Sequence, residues 1–149
     1  MRILFVCVHN AGRSQMAEAF LRKLASERNL DVESASAGTL GGGSIHPAVA
    51  DAMREAGVPL DGQRPKALTQ QMVDRSDLVV SMGCGVDSKA CPANFIVAED
   101  WGIDDPAGQP IERVRQIRDR IRAKVEAMLD LLGSRDAGAA GNEQGDREG

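Results

Sequence analysis

The chain has no surplus of basic residues, no apolar run of membrane-spanning length, and only three cysteines and two histidines. A net charge of −4 gives no electrostatic footprint for nucleic acid as a general partner. No stretch approaches the roughly 20 apolar residues that a membrane-crossing helix needs, so a membrane partner is excluded on similar grounds. The first residues, Met1-Arg2-Ile3-Leu4-Phe5-Val6, turn polar by His9, too soon for the apolar segment of a secretory signal. A soluble, cytoplasmic protein is expected. In a reducing compartment three cysteines do not make a static disulfide framework, and an odd count leaves at least one thiol free. Taken by number alone, they read either as catalytic or redox thiols or as buried small hydrophobes.

What is present suits one domain. The 149 residues are 42% hydrophobic and 27% charged, ordinary values for a globular chain long enough to bury a sizeable core. Arg2 to Val6 is a short apolar run without periodicity, the pattern of a strand buried on both faces. From Ser14, the residues Met16, Ala17, Phe20 and Leu24 recur at helical spacing and predict a helix to about Asn29. Asp31 to Ala37 predicts a second strand. Pro47 suits the first position of a helix that reaches about Ala56 and stops at Gly57. Thr69 to Val73 predicts a short helix, Asp77 to Ser81 a third strand, and Phe95-Ile96-Val97 a fourth. Pro110 opens the clearest helix, with one apolar stripe of Ile111, Val114, Ile117, Ile121, Val125, Met128 and Leu132. From Gly133 to Gly149 there are five glycines and six charges but no large apolar residue. Such a segment cannot offset the entropy of ordering, so a folded domain over 1–132 and a disordered tail over 133–149 are expected. Strands alternating with helices imply an α/β protein with a parallel sheet, whose ligands gather beyond the C-terminal strand ends.

The segment in that place reads Cys7-Val8-His9-Asn10-Ala11-Gly12-Arg13-Ser14, a Cys-x5-Arg-Ser pattern between a strand and a helix. Successive backbone N–H groups from Val8 to Gly12 in a tight loop form an anion nest, and the following helix points its positive end at it. Arg13 can grip a tetrahedral oxyanion through two hydrogen bonds, and Gly12 allows backbone that a side chain would obstruct. The same positive field favours the thiolate of Cys7, which is the nucleophilic form, and Ser14 is placed to donate a hydrogen bond to it. His9 and His46 read as loop side chains, with His46 exposed beside Pro47. Cys84 and Cys91 flank a polar, glycine-containing spacer. Zinc normally takes four ligands, and neither histidine has ligand spacing to them, so no metal is expected. They remain either inert thiols or partners in thiol exchange.

The run from Val6 to Glu18, together with Ser36-Ala37-Gly38, Met82-Gly83-Cys84 and Trp101 to Gly108, resembles the low-molecular-weight tyrosine phosphatase superfamily. More narrowly, it is similar to the arsenate reductases built on that fold, over nearly the whole chain to Leu132. The resemblance implies a three-layer architecture in which a four-stranded parallel sheet of order 2-1-3-4 is flanked by helices. It implies that Asn10 props the anion loop open and that Asp105, before Pro106, is the general acid. The Cys84-x6-Cys91-Pro92 segment resembles the redox segment of thioredoxin-coupled arsenate reductases. That resemblance implies attack of Cys7 on arsenate, a Cys7–Cys84 disulfide with release of arsenite, and a Cys84–Cys91 disulfide reduced by an external thiol. The anion loop also looks like that of mycothiol-dependent arsenate reductases, so thioredoxin and a mycothiol–mycoredoxin pair are both implied as reductants, with no bound cofactor.

Two departures from the phosphatase pattern matter. Pro106 is followed by Ala107 and Gly108 where phosphatase relatives carry aromatic residues, and the chain has no tyrosine, so the walls of an aryl pocket are missing. Arg64-Pro65-Lys66 stands where some relatives hold a structural potassium ion, and no cation is expected there. Two other functions use the same loop: a phosphatase that hydrolyses phosphomonoesters, and a non-catalytic oxyanion-binding protein.

Overall fold

The computed structural model describes residues 1–82 and 99–140. Its elements are β1 (Arg2–Cys7), α1 (Arg13–Glu27), β2 (Glu33–Gly38), α2 (Pro47–Glu55), α3 (Gln70–Asp74), β3 (Leu78–Ser81), β4 (Glu99–Asp100) and α4 (Ile111–Ala140). The four strands form one parallel sheet in the order β2-β1-β3-β4, the order expected. β1 sits inside the sheet, with Cys7 opposite Gly38 on one side and Val6 opposite Ser81 on the other.

The absence of alternation in β1 follows from burial on both faces. Ile3, Phe5 and Cys7 enter a large core with α1, α2 and α4, whereas Leu4 and Val6 enter a smaller one beside Met72 and Val73 of α3. Successive side chains of a strand point to opposite faces, so a strand covered twice must be apolar throughout. In the larger core Phe5 and Trp101 meet with ring centroids 5.4 Å apart. Each large side chain buried there contributes about 1.5–3 kcal/mol.

α2 is fastened to α4 by charge. Arg115 donates two hydrogen bonds to Glu55, at 2.8 and 2.9 Å, and Arg118 adds a third at 3.1 Å. The Arg115 guanidinium, by hydrogen bond first and then by charge, holds the Glu55 carboxyl below the usual carboxylate range, and Glu55 in turn raises Arg115. Gly57, at φ +78°, ends α2 in the left-handed conformation that glycine adopts at least cost.

β4 lies at Glu99–Asp100, paired with Val80 and Ser81; the strand expected at Phe95-Ile96-Val97 falls outside the described residues. Most other element ends fall within two residues of expectation. β2 starts at Glu33 rather than Asp31. α4 buries Val114, Ile117, Ile121, Val125, Leu129 and Leu132, but it continues through Gly133 to Ala140. The apolar stripe ends near Leu132. A helical glycine costs only about 1 kcal/mol relative to alanine, and Ala137, Ala139 and Ala140 favour continuation beyond it. No helix among the described residues is long and apolar enough to cross a membrane.

Candidate functional site

The anion loop leaves the end of β1 and is laid on the end of β2. Thr39 and Leu40 donate their N–H groups to the carbonyls of Cys7 and Val8 at 3.0 and 2.7 Å. The contact admits only glycine at position 38. A Cβ built there would stand 2.5 Å from the Val8 oxygen and 2.8 Å from both Asn10 N and the His9 carbonyl carbon.

Asn10 organises the loop's interior. It is fully buried and takes a left-handed backbone at φ +57°, where asparagine is tolerated better than most side chains. Its Oδ1 accepts from the backbone N–H of Lys66 at 3.0 Å and from Gln15 Nε2 at 2.9 Å. The Lys66 N–H can only donate, which fixes the orientation of the amide. Nδ2 must then face Ser14, and it donates to Ser14 Oγ at 2.7 Å. Ser14 Oγ, accepting from Asn10, keeps its own proton for a thiolate at Cys7 Sγ, 2.8 Å away, and either atom of that pair can be the donor while Cys7 is a thiol. The Asn10 N–H approaches the same sulfur at 3.2 Å. Ser14 Oγ and the Asn10 N–H therefore converge on a sulfur that is 3% exposed, and both can donate to it.

A second layer holds this network. Gln15 Nε2 also donates to the carbonyls of Asn10 and Arg64, at 3.0 and 2.9 Å, and its Oε1 accepts from Gln63 at 2.6 Å. The Lys66 ammonium stands 3.7 Å from the Glu18 carboxylate, which also accepts from Ser36 and Arg22. Lys66 thus places a cation of its own behind the loop. None of Gln15, Glu18 or Gln63 was singled out from sequence. Gln15 and Glu18 lie opposite the apolar positions of α1, so its periodicity would place them in solvent; that both are buried is visible only in the structure.

Seven residues line the pocket above the sulfur: Cys7, His9, Ala11, Gly12, Arg13, His46 and Asp105. Arg13 is buried, and its guanidinium is braced by a 2.8 Å hydrogen bond to the Ile103 carbonyl. Asp105 is exposed, and its Oδ1 accepts the Ala107 N–H at 3.0 Å. Turn formation and proximity to the sulfur are therefore combined in one residue. Pro106 carries that turn onto the loop, its Cγ lying 3.0 Å from the position of a Cβ on Gly12. Val8 and Asn10 do not line the pocket. The Asn10 side chain points into the supporting network, and the Val8 carbonyl is taken by Leu40.

His46 corrects the sequence reading. It is half-buried rather than exposed and forms part of the pocket wall. Cys84 and Cys91 lie outside the described residues. Among the described residues no cluster of three or more metal-ligating side chains occurs.

The low molecular weight phosphotyrosine protein phosphatase family model matches residues 2–137. A Halobacterium salinarum protein that carries the name of an arsenate reductase is 38% identical over 128 residues, 85% of this chain and 89% of that one. A glutaredoxin arsenate reductase of Synechocystis is 33% identical over 86% of this chain and 95% of its own length. The structure of an arsenate reductase in its phosphate-binding state superposes with a TM-score of 0.73 at 32% identity, covering 87% of this chain and 96% of that one.

Proposed function

The chain belongs to the low molecular weight phosphotyrosine protein phosphatase family, and from that premise we propose that it is an arsenate reductase with Cys7 as nucleophile. The observation that carries this reading is the setting of Cys7 Sγ, approached by Ser14 Oγ and the Asn10 N–H in one pocket with Arg13 and Asp105. The names of the relatives supply the class of substrate, and the pocket's composition agrees with it. No phenyl, phenol or indole ring is among the seven lining residues, which suits a small inorganic oxyanion better than an aryl phosphate.

In the proposed cycle, carried by residues 1–132 in the cytoplasm, arsenate is bound by the loop's backbone N–H groups and the Arg13 guanidinium. The Cys7 thiolate attacks arsenic, a sulfur–arsenic bond forms, and an arsenic–oxygen bond breaks. Asp105 gives its proton to the departing oxygen, which leaves as water. The Cys84 thiolate then attacks the sulfur of Cys7. As the sulfur–sulfur bond forms, the sulfur–arsenic pair stays on arsenic, which is reduced by two electrons and leaves as arsenite. Cys91 attacks Cys84, frees the Cys7 thiolate and closes a Cys84–Cys91 disulfide. An external dithiol of thioredoxin type reduces that disulfide. It is preferred to mycothiol with mycoredoxin because two thiols besides Cys7 are available to close the disulfide internally.

The test supplies arsenate and NADPH with thioredoxin and its reductase, with mycothiol and mycoredoxin, and with glutathione and glutaredoxin, each with its reductase. NADPH oxidation that depends on arsenate and is fastest with thioredoxin is expected. No oxidation in any arm, beside rapid hydrolysis of an aryl phosphate by the same preparation, overturns the reading in favour of a phosphatase.

A further inference from the structure

We propose that His46 is a substrate-contact residue whose ring donates a hydrogen bond to the bound oxyanion from the α2 wall of the pocket. The inference rests on the arsenate reading of the same site and adds a residue to it. Its backbone is fixed on both sides. The His46 N–H donates to the Ala11 carbonyl of the anion loop at 3.0 Å, and its own carbonyl accepts from Val49 and Ala50 at 3.0 and 3.1 Å as α2 begins. Pro47 at the first helical position, the buried Val49, Ala52 and Met53, and the Glu55–Arg115 clamp hold α2 in place. The ring is therefore carried on a rigid element.

The ring lies against the loop. His46 Cδ2 is 3.6 Å from the position of a Cβ on Gly12, the last loop residue before α1, and the ring shares the pocket with Cys7 and Arg13. It does not cap α2 and has no hydrogen-bond or ionic partner among the described residues. Histidine is not a favoured residue for the start of a helix, where serine, threonine, aspartate or asparagine would bond the free N–H groups. Structural duty therefore leaves this side chain unexplained. A tetrahedral oxyanion offers only acceptors, and an imidazole carries at least one N–H in either protonation state. His9 also borders the pocket, but it is exposed on the loop itself, whereas His46 is half-buried at the start of α2. The ligand class is a small tetrahedral oxyanion, arsenate or inorganic phosphate.

His46→Leu removes the donor, and His46→Gln restores one at similar reach. With Leu, KM for arsenate is expected to rise about tenfold, the scale of one hydrogen bond to a charged group, while kcat stays within twofold. With Gln, KM should return to within about threefold of the parent. A separate arm measures the concentration of arsenate, and then of inorganic phosphate, that half-protects Cys7 from iodoacetamide, read on the Cys7 peptide by mass spectrometry. Both concentrations should rise about tenfold in His46→Leu. That arm needs no turnover, so it tests the inference even if no reductant supports NADPH oxidation. Unchanged protection in His46→Leu overturns the proposal and leaves the reductase reading standing. A loss that Gln fails to restore, or a fall in kcat together with a lower melting temperature, also overturns it and makes His46 a structural residue.

Discussion

Replacing Gly38 with alanine tests whether the anion loop depends on contact with the end of β2. The added Cβ would stand 2.5 Å from the Val8 oxygen and 2.8 Å from two further backbone atoms, Asn10 N and the His9 carbonyl carbon. None of these atoms can rotate aside, so the loop itself must move. An ordinary carbon–oxygen contact lies near 3.3 Å, which requires a shift of about 0.8 Å. Overpacking of this kind costs roughly 1–3 kcal/mol, equivalent to about 2–4 °C of melting temperature per kcal/mol for a chain of this size. Activity should suffer more. The Asn10 N–H already reaches Cys7 Sγ at 3.2 Å, and a displacement of that size along the bond would bring it to the limit of a hydrogen bond to sulfur. Misplacement near 1 Å costs on the order of 100-fold in rate. Arsenate-dependent NADPH oxidation should therefore lose about two orders of magnitude in kcat/KM, and alkylation of Cys7 by iodoacetamide should slow, while the protein still melts cooperatively. An alanine variant within twofold of the parent in both rates would refute the claim that the loop is templated by Gly38.

Three further outcomes follow from the same geometry. Ser14→Ala deletes a donor to the Cys7 sulfur while leaving the Asn10 N–H, and should slow iodoacetamide alkylation of Cys7 at neutral pH by about tenfold, the scale of a hydrogen bond to a charged group. Asp105→Asn keeps an acceptor for the Ala107 N–H but cannot supply the proton; kcat should fall by about 10²–10⁴ with Cys7 alkylation nearly unchanged, as stopped-flow and peptide mapping would report. Glu55 is held below the usual carboxylate range by Arg115, so its contribution to stability is complete above the unfolded-state value and is lost as the pH falls through the lowered folded-state one. Glu55→Gln should accordingly narrow the gap between melting temperatures measured at neutral and acid pH, and an unchanged gap would show that the clamp is not felt.

Much of the site was readable because its parts are contiguous. Cys7 to Ser14 is one unbroken run between a strand and a helix, so nest, nucleophile and guanidinium are implied together by residue type and spacing. β1 was readable because a strand covered on both faces must be apolar at every position. His46 was not, since it reaches the pocket from α2 through an N–H bond to Ala11 that no local pattern encodes. The role of Gly38 was hidden for a similar reason: its φ is not among the positive values, and only the path of the neighbouring loop requires a missing side chain. Lys66 touches Asn10 through its backbone N–H, an interaction indifferent to residue type. β4 is short, and its pairing with Val80 and Ser81 rather than any apolar pattern marks Glu99–Asp100 as a strand. In α4, alanine propensity carried the helix past the last apolar position.

The central claim is that Cys7 takes up the oxidation and that Cys84 and Cys91 carry it away. The most direct measurement is a single turnover of the reduced protein with arsenate and no external reductant, with arsenite counted and disulfides mapped by mass spectrometry. The account predicts one arsenite and the loss of two thiols per chain, a Cys84–Cys91 disulfide in the parent, and a trapped Cys7–Cys84 disulfide in Cys91→Ser. Release of arsenite with Cys7 still a free thiol in Cys91→Ser, or no arsenite from the parent, would contradict it.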